Sequence, residues 1–155
     1  MLTKYTTKSF KQTQKLGENF VKKVLKLPAN NNAVVLGLLG NLGGGKTTFL
    51  QGFAKGLKIK EKILSPTFVI MKRFHIPNYK FNNFYHIDCY RLKNEKDILE
   101  LDFKKIISDP KNIVAIEWPE RIKKVLPKNI IYIKFTCPEP HRRVDENKRE
   151  INFKM

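Results

Sequence analysis

The sequence predicts an α/β protein in which a mostly parallel sheet is flanked by helices and two further strands form an antiparallel hairpin. Three observations carry this. A continuous apolar run at 33–39 meets a glycine-rich stretch and then an amphipathic segment from about residue 46. Apolar or alternating runs recur further along the chain with helical segments between them, the order expected of an α/β sheet. Two β-rich stretches, 67–74 and 81–90, lie on either side of a loop holding Pro77 and Asn78, as in a hairpin. At 155 residues the chain is expected to form one domain over 1–155.

Each element has its own signal. Ser9 with Gln12 makes a capping-box pattern, and Phe10, Leu16, Phe20, Val21, Val24 and Leu25 recur at a helical period. The N-terminal segment therefore reads as the start of a first helix, which Pro28 and the asparagines at 30–32 end. "AVVLGLL" at 33–39 is apolar and rich in β-branched residues, as a strand buried on both faces requires. Phe49, Leu50, Phe53, Ala54 and Leu57 mark the second helix, with Gly56 as its end signal. Residues 94–107 read as one helix capped by Asn94, 112–118 as a second buried strand, and 129–137 as a further strand with partial alternation. The tail alternates weakly around "REINFKM" and is expected to supply a last edge strand.

Composition sets outer bounds. The chain is 41% hydrophobic and 29% charged, which suits an ordinary soluble core. Its longest apolar run is far short of the ~20 residues that a membrane helix needs, so no membrane association is expected. The N-terminus has no apolar segment of the secretory kind. Cys89 and Cys137 are far apart without C-x-x-C spacing, and His75, His86 and His141 do not cluster with them. Neither a zinc site nor a disulfide framework is expected, and a reducing cytoplasm is the natural compartment. The formal charge of +17 favours polyanionic partners. Lysine, asparagine, isoleucine and phenylalanine all have AT-rich codons and all are abundant here, so charge alone does not separate RNA binding from codon usage.

The chemistry is concentrated at 40–47, G-N-L-G-G-G-K-T, which fits G-x-x-x-x-G-K-[ST] between a strand and a helix. A phosphate chain needs several donors converging at close range. Consecutive backbone N–H groups supply them when the chain curls into a nest, and glycine tolerates that curl. The helix that follows points its positive end at the same place. Leu42, Gly43, Gly44, Gly45, Lys46, Thr47 and Thr48 are thus expected to hold a nucleoside triphosphate. Lys46 would reach the β- and γ-phosphates and the Thr47 hydroxyl would ligate Mg²⁺. Acidic help for the metal is expected at a strand end. Glu117 follows four apolar residues, and Asp88 interrupts an apolar strand on the face shared by His86 and Tyr90. Asp88 either ligates the metal or positions the attacking water.

"GNLGGGKTTF" (40–49), "SPTF" (65–68), "HIDCYRL" (86–92) and "EWPER" (117–121) occur in that order, and together they resemble the TsaE (YjeE) family. The resemblance implies a weak ATPase acting with TsaB and TsaD to form the threonylcarbamoyl group on adenosine 37 of tRNAs that read ANN codons. It implies ATP and Mg²⁺ as cofactors, and contact with tRNA through the complex. It gives Lys46 and Thr47 the phosphate and magnesium roles, Asp88 and Glu117 the acidic positions near the metal, and Thr67 a γ-phosphate sensor's place. Trp118 matches the tryptophan after the acidic residue. The adenine base is implied near Ser9, Phe10 and Thr13, and Arg142 or Arg143 matches a C-terminal arginine near the nucleotide. Four departures stand out: Asn41 where the family has Asp, Gly44 where it has Ala, Cys89 for Leu, and Asp102 where glycine is common.

No internal arginine finger is evident, since Arg91 and Arg121 read as surface charge. A group supplied by a partner would leave the isolated chain slow. The competing reading is a small-molecule or nucleoside kinase, whose lid would have to be the short segment 73–84.

Overall fold

The computed structural model describes residues 2–66, 68–78, 80–137 and 148–155. Seven strands form one sheet: β1 (Leu2–Thr7), β2 (Val34–Leu39), β3 (Met71–His75), β4 (Asn83–Asp88), β5 (Asn112–Glu117), β6 (Ile131–Thr136) and β7 (Arg149–Lys154). Their spatial order is β1-β7-β6-β2-β5-β4-β3. The central four, β6, β2, β5 and β4, pair in parallel, and the outer pairings are antiparallel. Because β1 and β6 both run antiparallel to β7, β1 points the same way as the central strands. The sheet is thus mostly parallel, and β3 with β4 forms the expected antiparallel hairpin.

Helices cover both faces. On one side α1 (Phe10–Leu25) and α2 (Lys46–Gly56) bring Phe20, Val24, Phe49 and Phe53 onto Leu36, Leu38, Ile133 and Phe153. On the other, α3 (Glu95–Leu99), α4 (Phe103–Ser108) and a kinked 3-10 helical turn, Pro119–Val125, close over Val35, Ile87, Val114 and Ile116. The alternating side chains of β2 and β5 feed both layers, so each strand had to be apolar throughout.

Four expectations are corrected here. The N-terminal segment does not begin the helix: residues 2–7 form β1, whose threonines and Tyr5 suit a strand and whose partner is β7. The tail strand β7 is consequently not the edge; it lies between β1 and β6. The expected helix at 94–107 is two, because Asp102 adopts the left-handed conformation (φ 57°, ψ 27°) between them. That is the position where glycine is common in the resembling family, and glycine meets no Cβ penalty there. The first hairpin strand starts at Met71, after a turn in which Ile70 also has positive φ (64°).

The helix starts agree with their signals. Ser9 accepts from Gln12 N at 3.2 Å, and Gln12 Oε1 takes the Lys8 N–H at 2.7 Å. Asn94 accepts from Lys96 N at 2.9 Å. The segment 73–84, which a kinase would need as a lid, is built into the molecule. Phe74, Ile76, Phe81 and Phe84 lie in the core, and the Lys80 ammonium donates to Leu25 O (2.7 Å) and Leu27 O (2.6 Å) at the end of α1.

The crossing of α1 over α2 fixes where α2 begins. A Cβ on Gly17 would run into the Phe49 carbonyl, and one on Gly52 into the Gln14 carbonyl, so the helices meet backbone to backbone. Gly52→Ala is expected to lower unfolding free energy by about 1–3 kcal/mol, an overpacking cost. Urea unfolding measures it, and an unchanged midpoint would contradict the close crossing.

Candidate functional site

The loop between β2 and α2 turns on glycines with positive φ, among them Gly43 (73°) and Gly45 (94°), values a side chain would strain. Gly45 caps α2 without a side-chain hydrogen bond, and the first turn of α2 holds no acidic residue. The N-terminal N–H groups of an 11-residue helix are therefore presented to the loop with no carboxylate of that turn competing for them. An added Cβ on Gly44 would stand 2.9 Å from Asn41 O, so the alanine usual in the resembling family would have to shift that carbonyl in this loop.

Lys46 is buried, 4% exposed, and folds back over the loop. Its ammonium donates to Gly40 O (2.6 Å) and Asn41 O (2.9 Å) and lies 4.8 Å from the centre of the Trp118 ring. Burial pushes its pKa down from the usual lysine range, and the nearby charges of Glu117 and Asp88 oppose that shift. Asn41 takes part through its carbonyl, which also accepts from Gly44 N at 3.1 Å.

The two carboxylates come from adjacent strands. In register, Leu38 of β2 is opposite Glu117 of β5, which is opposite Asp88 of β4. Glu117 Oε1 accepts from Thr47 Oγ1 at 3.1 Å and contacts His86 Nε2 at 2.8 Å. Asp88 Oδ2 accepts from Ser65 Oγ at 3.0 Å and Oδ1 from Tyr90 N at 2.9 Å, tying Ser65 to the end of β4. Trp118, directly after Glu117, has positive φ (58°), a strained value for so large a residue, and its ring tilts against Tyr90 with centroids 5.0 Å apart. Together these groups line a cleft of about 390 Å³ that also takes in Phe10 and Arg149.

The donors suit a hard cation that is shared with a ligand. Thr47, Glu117 and Asp88 offer oxygens only. Among the described residues no cluster of three or more His, Cys, Asp or Glu side chains could hold a metal by itself. Mg²⁺ fits such a site, because it is usually held by one or two carboxylates plus substrate phosphates and water.

The remaining expected site residues are scattered. Phe10 is exposed and lines the cleft. Ser9 is spent on capping α1, and Thr13 is buried, donating to Ser9 O (3.2 Å) and sharing a 2.8 Å hydrogen bond with Thr7. Thr48 lines the cleft beside Thr47. Arg91 stacks on Phe68 at 4.5 Å, and Arg121 is exposed. Thr67, Arg142 and Arg143 lie outside the described residues. Sequence reasoning missed Arg149, whose guanidinium donates to Gly43 O at 3.3 Å from the start of β7. It also gave His86 no role. The available signal for His86 was its place two residues before Asp88 on the same strand face.

Comparison with known proteins gives the family. The family model described as threonylcarbamoyl adenosine biosynthesis protein TsaE matches residues 7–147. The chain belongs to the TsaE family. A tRNA threonylcarbamoyladenosine biosynthesis protein TsaE of Rickettsia typhi is 36% identical over 140 residues, covering 88% of this chain and 92% of that protein. The protein of the same name from Bacillus subtilis is 37% identical over 119 residues, 77% of this chain and 68% of its own. The crystal structure of Bacillus subtilis YdiB superposes with a TM-score of 0.67 at 27% identity, covering 99% of this chain and 84% of that one. The family's name thus ties it to a tRNA modification. No helix among the described residues is long and apolar enough to cross a membrane.

Cys89 stands beside the site in sequence but is closed to chemistry. Burial, with Asp88 next to it, pushes its thiol up to about 12. At pH 8 the thiolate fraction is then about one part in ten thousand, and the thiolate is the reactive form. A maleimide at pH 8 is expected to label exposed Cys137 alone in native protein and both cysteines after unfolding. Intact-mass measurement reads this, and double labelling of the native protein would contradict it.

Proposed function

We propose that the cleft binds Mg²⁺-ATP and hydrolyses it slowly, and that the chain serves threonylcarbamoyl transfer to adenosine 37 of ANN-reading tRNAs together with TsaB and TsaD in the cytoplasm. The observation that carries this is the Thr47–Glu117 hydrogen bond, which joins the uncapped start of α2 to the end of a buried strand. It places a hydroxyl and a carboxylate together beside a nest of glycine N–H groups, as a phosphate-bound magnesium requires.

The residues divide the work. The loop 42–48 cradles the phosphates with backbone donors. Lys46 exchanges its two carbonyl partners for β- and γ-phosphate oxygens, a stronger, charge-assisted pairing. Thr47 and Glu117 face the metal, which when bound neutralises charge on the phosphates. Asp88, held by Ser65 and Tyr90, is placed either to join them or to orient the attacking water. Arg149 lies against the loop and adds a cation at the phosphates. Phe10 offers an apolar surface for the base. The family's tie to tRNA threonylcarbamoyladenosine formation supports the TsaB and TsaD partnership, and contact with tRNA through that complex follows from it. Against the kinase alternative, the segment 73–84 that would serve as its lid is anchored in the core by Phe74, Ile76, Phe81 and Phe84.

The direct test is ATP turnover by the chain alone and with TsaB and TsaD. A low rate that rises sharply with the partners is expected, since a missing catalytic group supplied in trans is worth about 10³- to 10⁵-fold. No rise despite ATP binding would remove the partnership. Lys46→Ala is expected to abolish hydrolysis, and a near-normal rate in that variant would sink its assignment. Arg149→Ala is expected to weaken ATP binding about 10-fold or more by calorimetry, the worth of one charged hydrogen bond. Unchanged affinity would return Arg149 to a role in the loop alone.

A further inference from the structure

His86 is fully buried on β4, and the only hydrogen bond of its ring among the described residues is the one to Glu117. Its other ring nitrogen, Nδ1, has no partner among the described residues. A buried polar ring with one unpartnered nitrogen costs more than the apolar side chain that could fill the same space. Its neighbour on the same strand face, Phe84, is such a residue. The imidazole is therefore explained by the one contact it makes. A carboxylate oxygen accepts, so Nε2 is the donor in that contact.

Glu117 Oε1 is thus held from two sides, by the Thr47 hydroxyl at 3.1 Å and by His86 at 2.8 Å. Thr47 sits on the first turn of α2, directly after the loop. His86 sits in the sheet, where Ala115 of β5 is its register partner on one side and Lys72 of β3 on the other. One donor belongs to the loop and the other to the rigid frame.

We propose that His86 is a positioning residue for Glu117, fixing Oε1 against the sheet so that the carboxylate keeps its place for the metal. This rests on the reading of Glu117 as the metal-facing carboxylate. Outer partners of this kind set metal affinity by about 10- to 100-fold, and they act on the metal rather than on the nucleotide's other contacts.

The test uses the full chain and three substitutions, with a fourth in reserve. ATP binding is measured by calorimetry in EDTA and then across a Mg²⁺ titration. His86→Leu is expected to raise the Mg²⁺ concentration for half-maximal effect about 10- to 100-fold, with the EDTA affinity unchanged. His86→Gln, whose amide can still donate to Oε1, is expected to restore most of the loss. Should His86→Leu fail to fold, His86→Asn replaces it, being polar but too short to reach Glu117, with the same expectation. A wild-type Mg²⁺ requirement in the folded Leu or Asn variant would overturn the proposal. So would an equal loss of affinity in EDTA, which a merely structural role would produce. Glu117→Ala separates the two readings. If it shifts the Mg²⁺ requirement and the His86 variants do not, only the positioning role falls. If it shifts nothing, the metal reading of Glu117 falls and the proposal with it.

Discussion

The site depends on the register of three parallel strands. β2, β5 and β4 end level with one another, so that Leu38, Glu117 and Asp88 stand side by side at the carboxyl edge of the sheet. Ligands of open α/β sheets collect at that edge, because the loops and the following helix N-termini gather there. A slip of one residue in β5 would turn Glu117 to the other face of the sheet and leave Thr47 without its acceptor. What opposes the slip is close packing on both faces, where side chains of different size would have to exchange places. Every residue of β5 is buried, and Ile113 and Ala115 belong to one apolar layer while Val114 and Ile116 belong to the other.

Helix α2 supplies the second half of the geometry. Its N-terminus is aimed over Glu117 because its body is locked against α1 at Gly17 and Gly52, where the backbones touch. The phenylalanines at 20, 49 and 153 then pack within about 6 Å of one another under the helix pair, a stiff base for a loop that carries little structure of its own. Stability and function meet in this arrangement. The same packing that fills the core holds the donors of the loop in a fixed direction, and fixed donors are what make electrostatic stabilisation of phosphates effective.

Much of this was legible in the sequence because the signals were local. The glycine loop, its flanking strand and helix, the Ser9 and Asn94 caps, and the hairpin each have a short-range pattern. Period-2 counting placed Asp88 and His86 on one face, as found. The misses share a different cause. β1 is a strand only because β7, nearly the whole chain away, pairs with it, and nothing in "LTKYTT" announces that partner. Arg149 reaches the loop for the same reason, since its place is set by the β6–β7–β1 pairing and not by its neighbours in sequence. The division of 94–107 into two helices turns on one left-handed residue, Asp102, in a stretch whose apolar spacing suits a single helix. Thr13 looked available from its residue type, yet its hydroxyl is consumed by Thr7 and Ser9.

In the proposed Mg²⁺-ATP site the lysine is parked on its own loop. The most direct measurement is a crystal structure with a non-hydrolysable ATP analogue and Mg²⁺. The account expects the triphosphate on loop 42–48, the metal between Thr47 Oγ1 and Glu117, and the Lys46 ammonium moved from Gly40 O and Asn41 O to the phosphates. An analogue bound elsewhere, or bound here with Lys46 still on those two carbonyls, would contradict it.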